Sequence, residues 1–313
     1  MEHNMSYFRN NLARVYVTGG YSGFLGRNFM EGLSNRNVPC IGQLHYEGNG
    51  DLINKKQDWK IDFAESVIHC ASFTGGAQTI KDNPERLAHD NLLMSANVLR
   101  AAALGGVKKF MFISSSAVYP DSSDPLMESQ GFIGDPHPVF FGVGWMKRYI
   151  EKLAEFYYKQ YGMHVLIVRP SNVYGKFMHF EDKRAHVIAA LVRRFIEGND
   201  LTVWGTPDVV RDFIYVDDFI YGALHIFSQF SDYEVVNVVG GKPVTMQQLV
   251  SCICDATDRD VSTITYDVTK PVTVPYRTLD GSYAKEKYGF ESAISLEEGI
   301  NQLVKWYKEN NRS

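Results

Sequence analysis

The feature that most constrains this chain is a glycine-rich loop, in which Gly20, Gly23 and Gly26 are spaced three residues apart. Residues 13–18 before it are apolar and partly β-branched, which predicts a strand, and residues 26–33 after it have a helical pattern. This order favours a Rossmann-type fold, because the glycines let the backbone approach the pyrophosphate of a dinucleotide. The predicted cofactor contacts of the loop are Gly20, Gly23, Phe24, Leu25 and Gly26.

Strands and helices continue to alternate after the loop. Further strands are predicted at 38–41, 66–71, 108–114 and 165–169, and helices at 91–104 and 145–161. Such alternation predicts an α/β fold with a doubly wound parallel sheet. We therefore assign residues 13–175 to a Rossmann domain that binds the cofactor.

The pattern changes beyond residue 175. The predicted elements there are helices at 185–196, 219–230, 246–256 and 296–309, and short strands at 202–204, 213–216 and 234–238. We interpret residues 176–313 as a smaller α/β lid over the carboxyl edge of the sheet, which binds the substrate. Some of its segments are expected to return to the Rossmann sheet.

Charge and hydropathy exclude several classes of partner. The formal net charge is −4, which gives no reason to expect a nucleic acid or an anionic membrane. No apolar run approaches the ~20 residues of a membrane span. Residues 1–12 lack the apolar core of a signal peptide, so we expect a cytoplasmic protein.

The four cysteines follow no metal or redox spacing. Cys40 and Cys70 lie in apolar runs, and Cys252 and Cys254 are two residues apart. We therefore expect four reduced thiols and no metal site.

Several motifs in a fixed order give the chain a specific resemblance. They are Phe-Ile-Ser-Ser-Ser-Ala-Val-Tyr-Pro at 112–120, His-Cys-Ala-Ser at 69–72, Arg-Pro-Ser-Asn-Val-Tyr-Gly at 169–175 and Arg-Asp-Phe-Ile-Tyr-Val-Asp-Asp at 211–218. The chain thereby resembles the extended short-chain dehydrogenase/reductases, also called the NAD-dependent epimerase/dehydratase family. This resemblance implies NAD or NADP as cofactor, a nucleotide sugar as substrate, and a homodimer formed through helices near 83–104 and 145–161. The cofactor contacts that it adds are Cys70, Ala71, Ser114, Lys147 and Pro170.

The carboxyl half carries His-Val-Ile at 186–188, Arg-Arg-Phe at 193–195, Trp-Gly at 204–205 with an arginine at 211, and Arg-Thr-Leu-Asp at 277–280. By these motifs it is similar, within that family, to the GDP-L-fucose synthases. The substrate contacts that this similarity implies are Ser116, Asn172, His186, Arg194, Trp204, Arg211 and Arg277. Arginine binds phosphate through a bidentate fork, and an aromatic ring such as tryptophan can pack on a base or a sugar. These residue types therefore favour a nucleoside diphosphate sugar, and the similarity alone favours GDP.

The end of the second strand leaves the choice between NAD and NADP open. An acidic residue there favours NAD, and a basic residue favours NADP. The stretch at 40–45 is Cys-Ile-Gly-Gln-Leu-His, without an acid or an arginine. His45 could face a 2′-phosphate or could simply be solvated.

The hydride chemistry of this family uses a tyrosine four residues before a lysine, which places both side chains on one helix face. The lysine lowers the pKa of the tyrosine, whose phenolate takes the proton of the sugar hydroxyl, while a serine steadies the same oxygen. The motifs match the serine to Ser115 and the lysine to Lys147, with Glu151 four residues later. Val143 then occupies the tyrosine position, so we expect His186 or a bound water to carry the proton.

Two further differences from the family's motifs limit the reactions that we expect. The fucose synthases place an epimerising cysteine two residues after the serine, and this chain has Ala117 there. The 4,6-dehydratases of the family place Asp-Glu where Ser116 and Ala117 stand, so dehydration of that kind is not expected. The literal Tyr-x-x-x-Lys at Tyr283 and Lys287 lies far downstream, and we interpret it as a chance match.

Three hypotheses follow. The first is an NAD(P)-dependent oxidoreductase that interconverts a hydroxyl and a keto group, at C4, of a nucleotide-linked hexose, 6-deoxyhexose or heptose for surface polysaccharide synthesis. The second is a 4-epimerase that keeps its NAD bound. The third is a catalytically silent cofactor-binding homologue. Val143 and Ala117 favour this third hypothesis, whereas the retained Ser115, Lys147 and His186 oppose it.

Overall fold

The computed structural model describes residues 12–43, 51–56, 59–181, 185–198, 201–270 and 274–311. The helices in these residues are α1 Phe24–Ser34, α2 Ala77–Asp82, α3 Asn91–Gly105, α4 Phe141–Tyr161, α5 Val187–Glu197, α6 Val216–Gln229, α7 Met246–Thr257, α8 Ser282–Tyr288 and α9 Leu296–Asn310. The strands are β1 Val15–Thr18, β2 Cys40–Gly42, β3 Ser66–His69, β4 Lys109–Ile113, β5 His164–Pro170, β6 Asn172–Tyr174, β7 Thr202–Trp204, β8 Val210–Arg211, β9 Phe213–Tyr215, β10 Tyr233–Val238, β11 Val244–Thr245, β12 Thr265–Asp267 and β13 Tyr276–Arg277. A π-helix at Arg86–Asp90 leads directly into α3.

Six of these strands form one parallel sheet in the order β10-β5-β4-β3-β1-β2. Successive side chains of β4 point to opposite faces, so Phe110 and Phe112 pack with α3 and α4 while Met111 and Ile113 pack with α1 and α6. Both faces of the sheet are therefore covered by helices. The prediction of a doubly wound α/β fold is confirmed.

The carboxyl ends of the parallel strands meet at one edge of the sheet. Thr18 ends β1 opposite His69 of β3, and Ile113 ends β4 opposite Val168 of β5. Open α/β sheets bind their ligands in the crevice outside this edge. The predicted cofactor residues follow these strand ends, so the fold places them in one region.

Two elements of the carboxyl half belong to the main sheet. Strand β10 pairs with β5 along its length, and helix α6 packs against β5, β10 and α1. Where α1 and α6 cross, a Cβ on Gly32 would lie 2.6 Å from Cγ2 of Ile220, so the glycine permits this close approach. These are the segments beyond residue 175 that return to the sheet.

The rest of the carboxyl half consists of short strands and helices outside the main sheet. Strand β8 lies between β11 and β13, β7 pairs with β12, and β6 pairs with β9. Helix α7 packs against α5 and α9. The parallel pairing of β8 with β13 brings Arg211 opposite Arg277.

Three helices begin earlier than their apolar patterns predict, and the first of them, α1, begins at Phe24 rather than 26. Helix α4 begins at Phe141 rather than 145, because glycines lower the helical signal of its first turn. Helix α6 begins at Val216 rather than 219, since Asp217 and Asp218 interrupt the apolar pattern. Acidic side chains in a first turn stabilise a helix through its dipole, so the polar residues belong to the helix.

Three general properties concern membranes, disulfides and metals. Within the described ranges, no helix combines the length and the apolar character that crossing a bilayer requires. The four cysteines are free thiols. The same residues contain no group of three or more histidine, cysteine, aspartate or glutamate side chains that could hold a metal ion.

Candidate active site

The glycine loop between β1 and α1 is packed too closely for side chains. A Cβ on Gly20 would lie 2.6 Å from Cα of Gly42, and one on Gly26 would lie 2.1 Å from the carbonyl oxygen of Gly19. Gly19 has a φ of +69°, in the left-handed region that favours glycine. The N–H of Gly23 donates to Gly19 O at 2.8 Å and closes the turn. Backbone therefore faces the sheet edge, as the approach of a pyrophosphate requires.

Helix α1 begins directly behind this turn, at Phe24. Its N-cap residue is Gly23, which provides no side-chain acceptor for the first turn. The first N–H groups of a helix have no acceptor within it, and here they belong to Phe24, Leu25 and Gly26. Together with the positive end of the helix dipole they form an anion site. The residues present therefore fit the pyrophosphate of a dinucleotide.

The end of β3 forms the next wall of this site. The Thr18 hydroxyl accepts hydrogen bonds from the backbone N–H groups of Cys70 at 3.1 Å and Ala71 at 3.0 Å. It also contacts Nδ1 of His69 at 2.8 Å. Burial lowers the pKa of His69 to about 3, so this ring stays neutral. Cys70 and Ala71 thus lie beside the glycine loop, held by Thr18, which sequence reasoning missed.

The end of β2 carries a neutral amide at the position that usually reads the adenosine ribose. Gln43 is buried, and its side-chain oxygen accepts from the N–H of Gly19 at 3.3 Å. A Cβ added to Gly42 would lie 3.0 Å from the ring of Tyr21, so this ring covers the strand end. The described residues 40–43 contain neither an acid nor a cation, and His45 lies outside the described residues.

Lys147 lies on α4 and is buried against the end of β4. Its ammonium donates to the carbonyl oxygen of Ile113 at 2.9 Å and lies 4.5 Å from the centre of the Phe112 ring. Burial lowers the pKa of Lys147 to about 8. The lysine therefore places a buried positive charge at the sheet edge, next to the end of β3 that carries Cys70.

Val143 lies four residues before Lys147, in the first turn of α4. Its side chain is half-buried and packs against the apolar cluster between the sheet and α3 and α4. The turn around it is close-packed, since a Cβ on Gly144 would lie 2.5 Å from the carbonyl oxygen of Ala117. The helix face that carries Lys147 therefore has an aliphatic side chain at the position where the family resemblance implies a tyrosine.

Three serines follow β4 and have different surroundings. The Ser115 hydroxyl oxygen accepts from the N–H of Ala117 at 3.1 Å and caps a 3-10 turn at Ser116–Val118. Because that contact uses a lone pair, the Ser115 proton remains available to a ligand oxygen. The Ser114 hydroxyl instead donates to Oε1 of Glu151 at 2.5 Å, so it faces helix α4.

A buried polar network lies behind these serines and was not foreseen from the sequence. Arg169 donates to both carboxylate oxygens of Glu151, at 3.1 and 2.6 Å. It also donates to the Tyr119 hydroxyl at 3.0 Å, which in turn donates to Oδ1 of Asn237 at 2.6 Å. The sequence signals were an arginine ending an apolar strand and a glutamate one turn after Lys147.

Arg211 and Arg277 lie side by side on paired strands. Arg211 donates to Val210 O at 2.7 Å, and Arg277 donates to Pro120 O at 2.8 Å. Burial and then the charge of Arg277 lower the pKa of Arg211 to about 10. Within the described residues, Nε and Nη2 of Arg277 are buried without a hydrogen-bond partner. The buried, unsatisfied N–H groups of Arg277, next to a second cation, fit an anion such as a diphosphate.

Three other predicted substrate residues lie on separate elements of the chain. Trp204 ends β7 with 40% of its surface exposed. Arg194 is partly fixed by the scaffold, because it donates to Thr202 O at 2.7 Å. Asn172 donates from Nδ2 to Asp212 O at 2.8 Å. Pro170, a predicted cofactor contact, ends β5.

His186 is the N-cap residue of α5 and is exposed. A Cβ on Gly76 would lie 2.7 Å from Ala185 O, so the loop after β3 touches the segment that carries His186. The structure therefore brings this histidine to the side of the sheet edge where β3 ends.

The downstream Tyr-x-x-x-Lys pair lies elsewhere. Tyr283 and Lys287 both donate to Glu234, and Lys287 also donates to the Tyr283 hydroxyl at 3.1 Å. Glu234 is the second residue of β10, at the amino end of a strand in a parallel sheet. This pair thus lies at the edge opposite the glycine loop and takes no part in the candidate site.

Comparison with known proteins covers both halves of the chain. Residues 15–239 match the model of the NAD dependent epimerase/dehydratase family. The chain is 27% identical to GDP-L-fucose synthase 1 of Arabidopsis thaliana, with 98% of this chain and 96% of that protein covered.

Solved structures show the same fold. The UDP-glucose 4-epimerase of Thermotoga maritima, solved with UDP-glucose, has a TM-score of 0.79 at 25% identity and covers 96% of this chain and 100% of its own. A GDP-L-fucose synthetase from Naegleria fowleri bound to NADP has a TM-score of 0.82 at 22% identity, covering 96% and 94%. The similarity therefore extends over the sheet and the carboxyl half together.

Proposed function

Because the chain belongs to the NAD-dependent epimerase/dehydratase family, we propose that it is an NAD(P)-dependent oxidoreductase of nucleotide-linked sugars. It interconverts a hydroxyl and a keto group at C4 of the sugar. The observation that carries this proposal is Arg277, which lies beside Arg211 and whose buried Nε and Nη2 have no hydrogen-bond partner among the described residues, as a diphosphate site requires. A dinucleotide cradle and a diphosphate clamp at one edge fit a two-substrate redox site.

The roles of the residues follow from their surroundings. The dinucleotide would be held by the glycine loop, Cys70, Ala71, Lys147 and Pro170, and its nicotinamide supplies or accepts the hydride when bound. Ser115 donates its free proton to the sugar oxygen and orients it. The proton that accompanies the hydride is carried by His186 or by a water beside Val143.

The named relatives support a more specific substrate. Similarity to GDP-L-fucose synthase 1 of Arabidopsis thaliana favours a GDP-linked hexose, 6-deoxyhexose or heptose. We place the reaction in the cytoplasm, in the synthesis of sugars for surface polysaccharides. Trp204 suits the base or sugar, because its ring is large, aromatic and partly exposed.

Two other functions have an observation in their favour. Similarity to the UDP-glucose 4-epimerase of Thermotoga maritima favours an epimerase that keeps its NAD bound. Val143 favours a silent homologue that binds its ligands without turnover, since an alkyl group carries no proton. Epimerisation would change the sugar without net change in the cofactor, and a silent protein would change neither.

The experiment that separates these functions starts with the purified protein. Its absorbance near the reduced nicotinamide band shows whether a cofactor is retained. GDP-, UDP-, CDP- and dTDP-linked sugars are then added while NAD(P)H is followed optically and the sugars by mass spectrometry and NMR. Cofactor change in step with sugar oxidation or reduction is expected. No change in cofactor or sugar with any of them would contradict the proposed function.

Replacing Arg277 with methionine should weaken nucleotide-sugar binding roughly tenfold to a hundredfold, the range of a lost charge-assisted hydrogen bond. Dinucleotide binding should stay unchanged, because Arg277 lies on β13 in the carboxyl half and is not part of the glycine loop. Titration calorimetry with each ligand measures both effects. Arg259→Met is the matched control. Arg259 donates to Phe195 O in the last turn of α5 at 2.7 Å, and it is not one of the proposed substrate contacts. Equal affinities of wild type and Arg277→Met for the nucleotide sugar would show that Arg277 does not bind the substrate.

We further propose that two copies pair through α3 and α4. The two helices pack side by side, and the exposed aromatic residues Phe141, Trp145, Tyr149 and Phe156 form one stripe along α4. The spacing of four, four and seven residues keeps them on one face. A second copy of this face suits an isologous interface, as the family resemblance implies.

Replacing Tyr149 with glutamate should raise the dissociation constant of this dimer about a hundredfold or more, because each interface carries the change twice. Sedimentation over a concentration series measures it. Val261→Glu, at another exposed apolar residue, should leave the dimer intact. A monomeric wild-type protein would contradict the proposed interface.

A further inference from the structure

A buried ion pair lies directly behind the candidate site and takes no part in the proposed chemistry. Oε2 of Glu151 on α4 lies 2.6 Å from Nη2 of Arg169 on β5, and the two side chains are 0% and 1% exposed. Burying two charges is expensive, and apolar residues of the same size often stabilise a protein more. The pair is therefore poorly explained by stability alone.

Helix α4 contacts the end of β4 at two consecutive residues. Lys147 donates to Ile113 O at 2.9 Å, and Glu151 accepts from the Ser114 hydroxyl at 2.5 Å. Lys147 and Glu151 lie one turn apart on the same helix face. Together the two contacts fix the register of helix and strand, and Ser115 follows directly.

The charge on Lys147 has few compensating groups. On its own helix it faces Glu151, and from the end of β3 it faces the Cys70 thiol and the neutral His69 ring. From β4 it faces the ring of Phe112. Among the described residues, Glu151 is the carboxylate that acts on Lys147, and it opposes the lowering of the lysine pKa by burial.

We propose that Glu151 is a positioning residue of the cofactor site, whose carboxylate keeps the buried Lys147 ammonium charged and whose bond to Ser114 aligns Ser115. The role matters in this chain because Val143, one turn before Lys147, supplies no phenolate to share the charge. Two arginines, Arg148 and Arg169, face Glu151. The inference rests on the proposed cofactor site and does not depend on which sugar the protein binds.

The test is an NMR titration of the Lys147 side chain in cofactor-free protein that carries carbon-13-labelled lysine. The resonance is assigned by its loss in Lys147→Met. In the wild type, the pKa that burial sets predicts a midpoint at about pH 8. Glu151→Gln keeps a side-chain acceptor but removes the charge, so the midpoint should fall by about one pH unit or more. An unchanged midpoint would overturn the proposal.

Matched variants separate this role from a structural one. Glu155→Gln removes a carboxylate one turn further along α4, bound to Lys152 and Lys159, and should leave the midpoint unchanged. Glu151→Gln leaves Arg169 without its partner, which can unfold the protein. Glu151→Gln combined with Arg169→Met also removes the buried guanidinium whose partner is lost, so the ion pair disappears as a whole. The same fall is expected there, and its absence in a folded double variant would also overturn the proposal.

Dinucleotide binding provides the second measurement. At a pH midway between the two midpoints, Lys147 is mostly charged in the wild type and mostly neutral in Glu151→Gln, so the variant should bind NAD or NADP at least about threefold more weakly. Lowering the pH should restore its affinity. A shifted midpoint with unchanged affinity would contradict the role of Glu151 in the cofactor site. Absence of all dinucleotide binding in the wild type would instead contradict the proposed function, while the titration still tests the charge on Lys147.

Discussion

Replacing Val143 with tyrosine should raise the turnover of a nucleotide sugar by about 10²- to 10⁴-fold, the usual contribution of a positioned acid or base. Val143 lies four residues before Lys147 on α4, so a tyrosine there lies on the face of the lysine. The nearby ammonium favours the phenolate and lowers the tyrosine pKa. The measurement is kcat at saturating cofactor for wild type and variant.

The control for this gain is Val143→Phe, which adds the ring without the hydroxyl. No gain is expected from it, because a phenyl ring carries no proton. Equal gains in both variants would assign the effect to packing rather than to proton transfer. If Val143→Tyr folds and binds both ligands but is no faster than wild type, position 143 is not the proton-transfer position.

Replacing Lys147 with methionine should lower turnover by about 10²- to 10⁴-fold and weaken dinucleotide binding. Methionine has a similar length and is apolar, so it can pack over Phe112 where the buried lysine stem lies. The fold should persist, because the change removes one hydrogen bond to Ile113 O, worth about 1.5–3 kcal/mol for a charged donor. Turnover, cofactor affinity and Tm are measured together.

Lys152→Met is the matched control on the same helix. The Lys152 side chain is 59% exposed and pairs with Glu155 at 2.9 Å, and exposed ion pairs contribute little. This variant should keep wild-type turnover and cofactor affinity. Full activity in a folded Lys147→Met protein would place the active site elsewhere.

The sheet could be predicted because its signals are local. The apolar run, the glycine spacing and the following helical pattern define β1, the loop and α1 within about twenty residues. Strand boundaries differed by one or two residues. The short strands β6, β8, β11, β12 and β13 were missed, since strands of two or three residues have little periodic pattern of their own and form by pairing with distant segments.

The candidate site was predictable only as a set of residue types. Motifs singled out Ser115, Lys147 and the arginines, yet the partner of each depends on contacts between distant parts of the chain. The Ser114 hydroxyl, expected near the cofactor, is bound to Glu151, 37 positions away. Likewise, Arg277 lies beside the end of β4 because it donates to Pro120 O, 157 positions away. Such contacts follow from packing and leave no local signal.

The most direct test of nucleotide-sugar redox chemistry is the transfer of deuterium. Purified protein is incubated with NADH or NADPH that carries deuterium at C4 of the nicotinamide, together with a GDP-linked 4-keto hexose. We predict that deuterium appears at C4 of the product sugar, with one cofactor oxidised for each sugar reduced. The contradicting result is binding of both ligands with no deuterium in any product, across GDP-, UDP-, CDP- and dTDP-linked keto sugars.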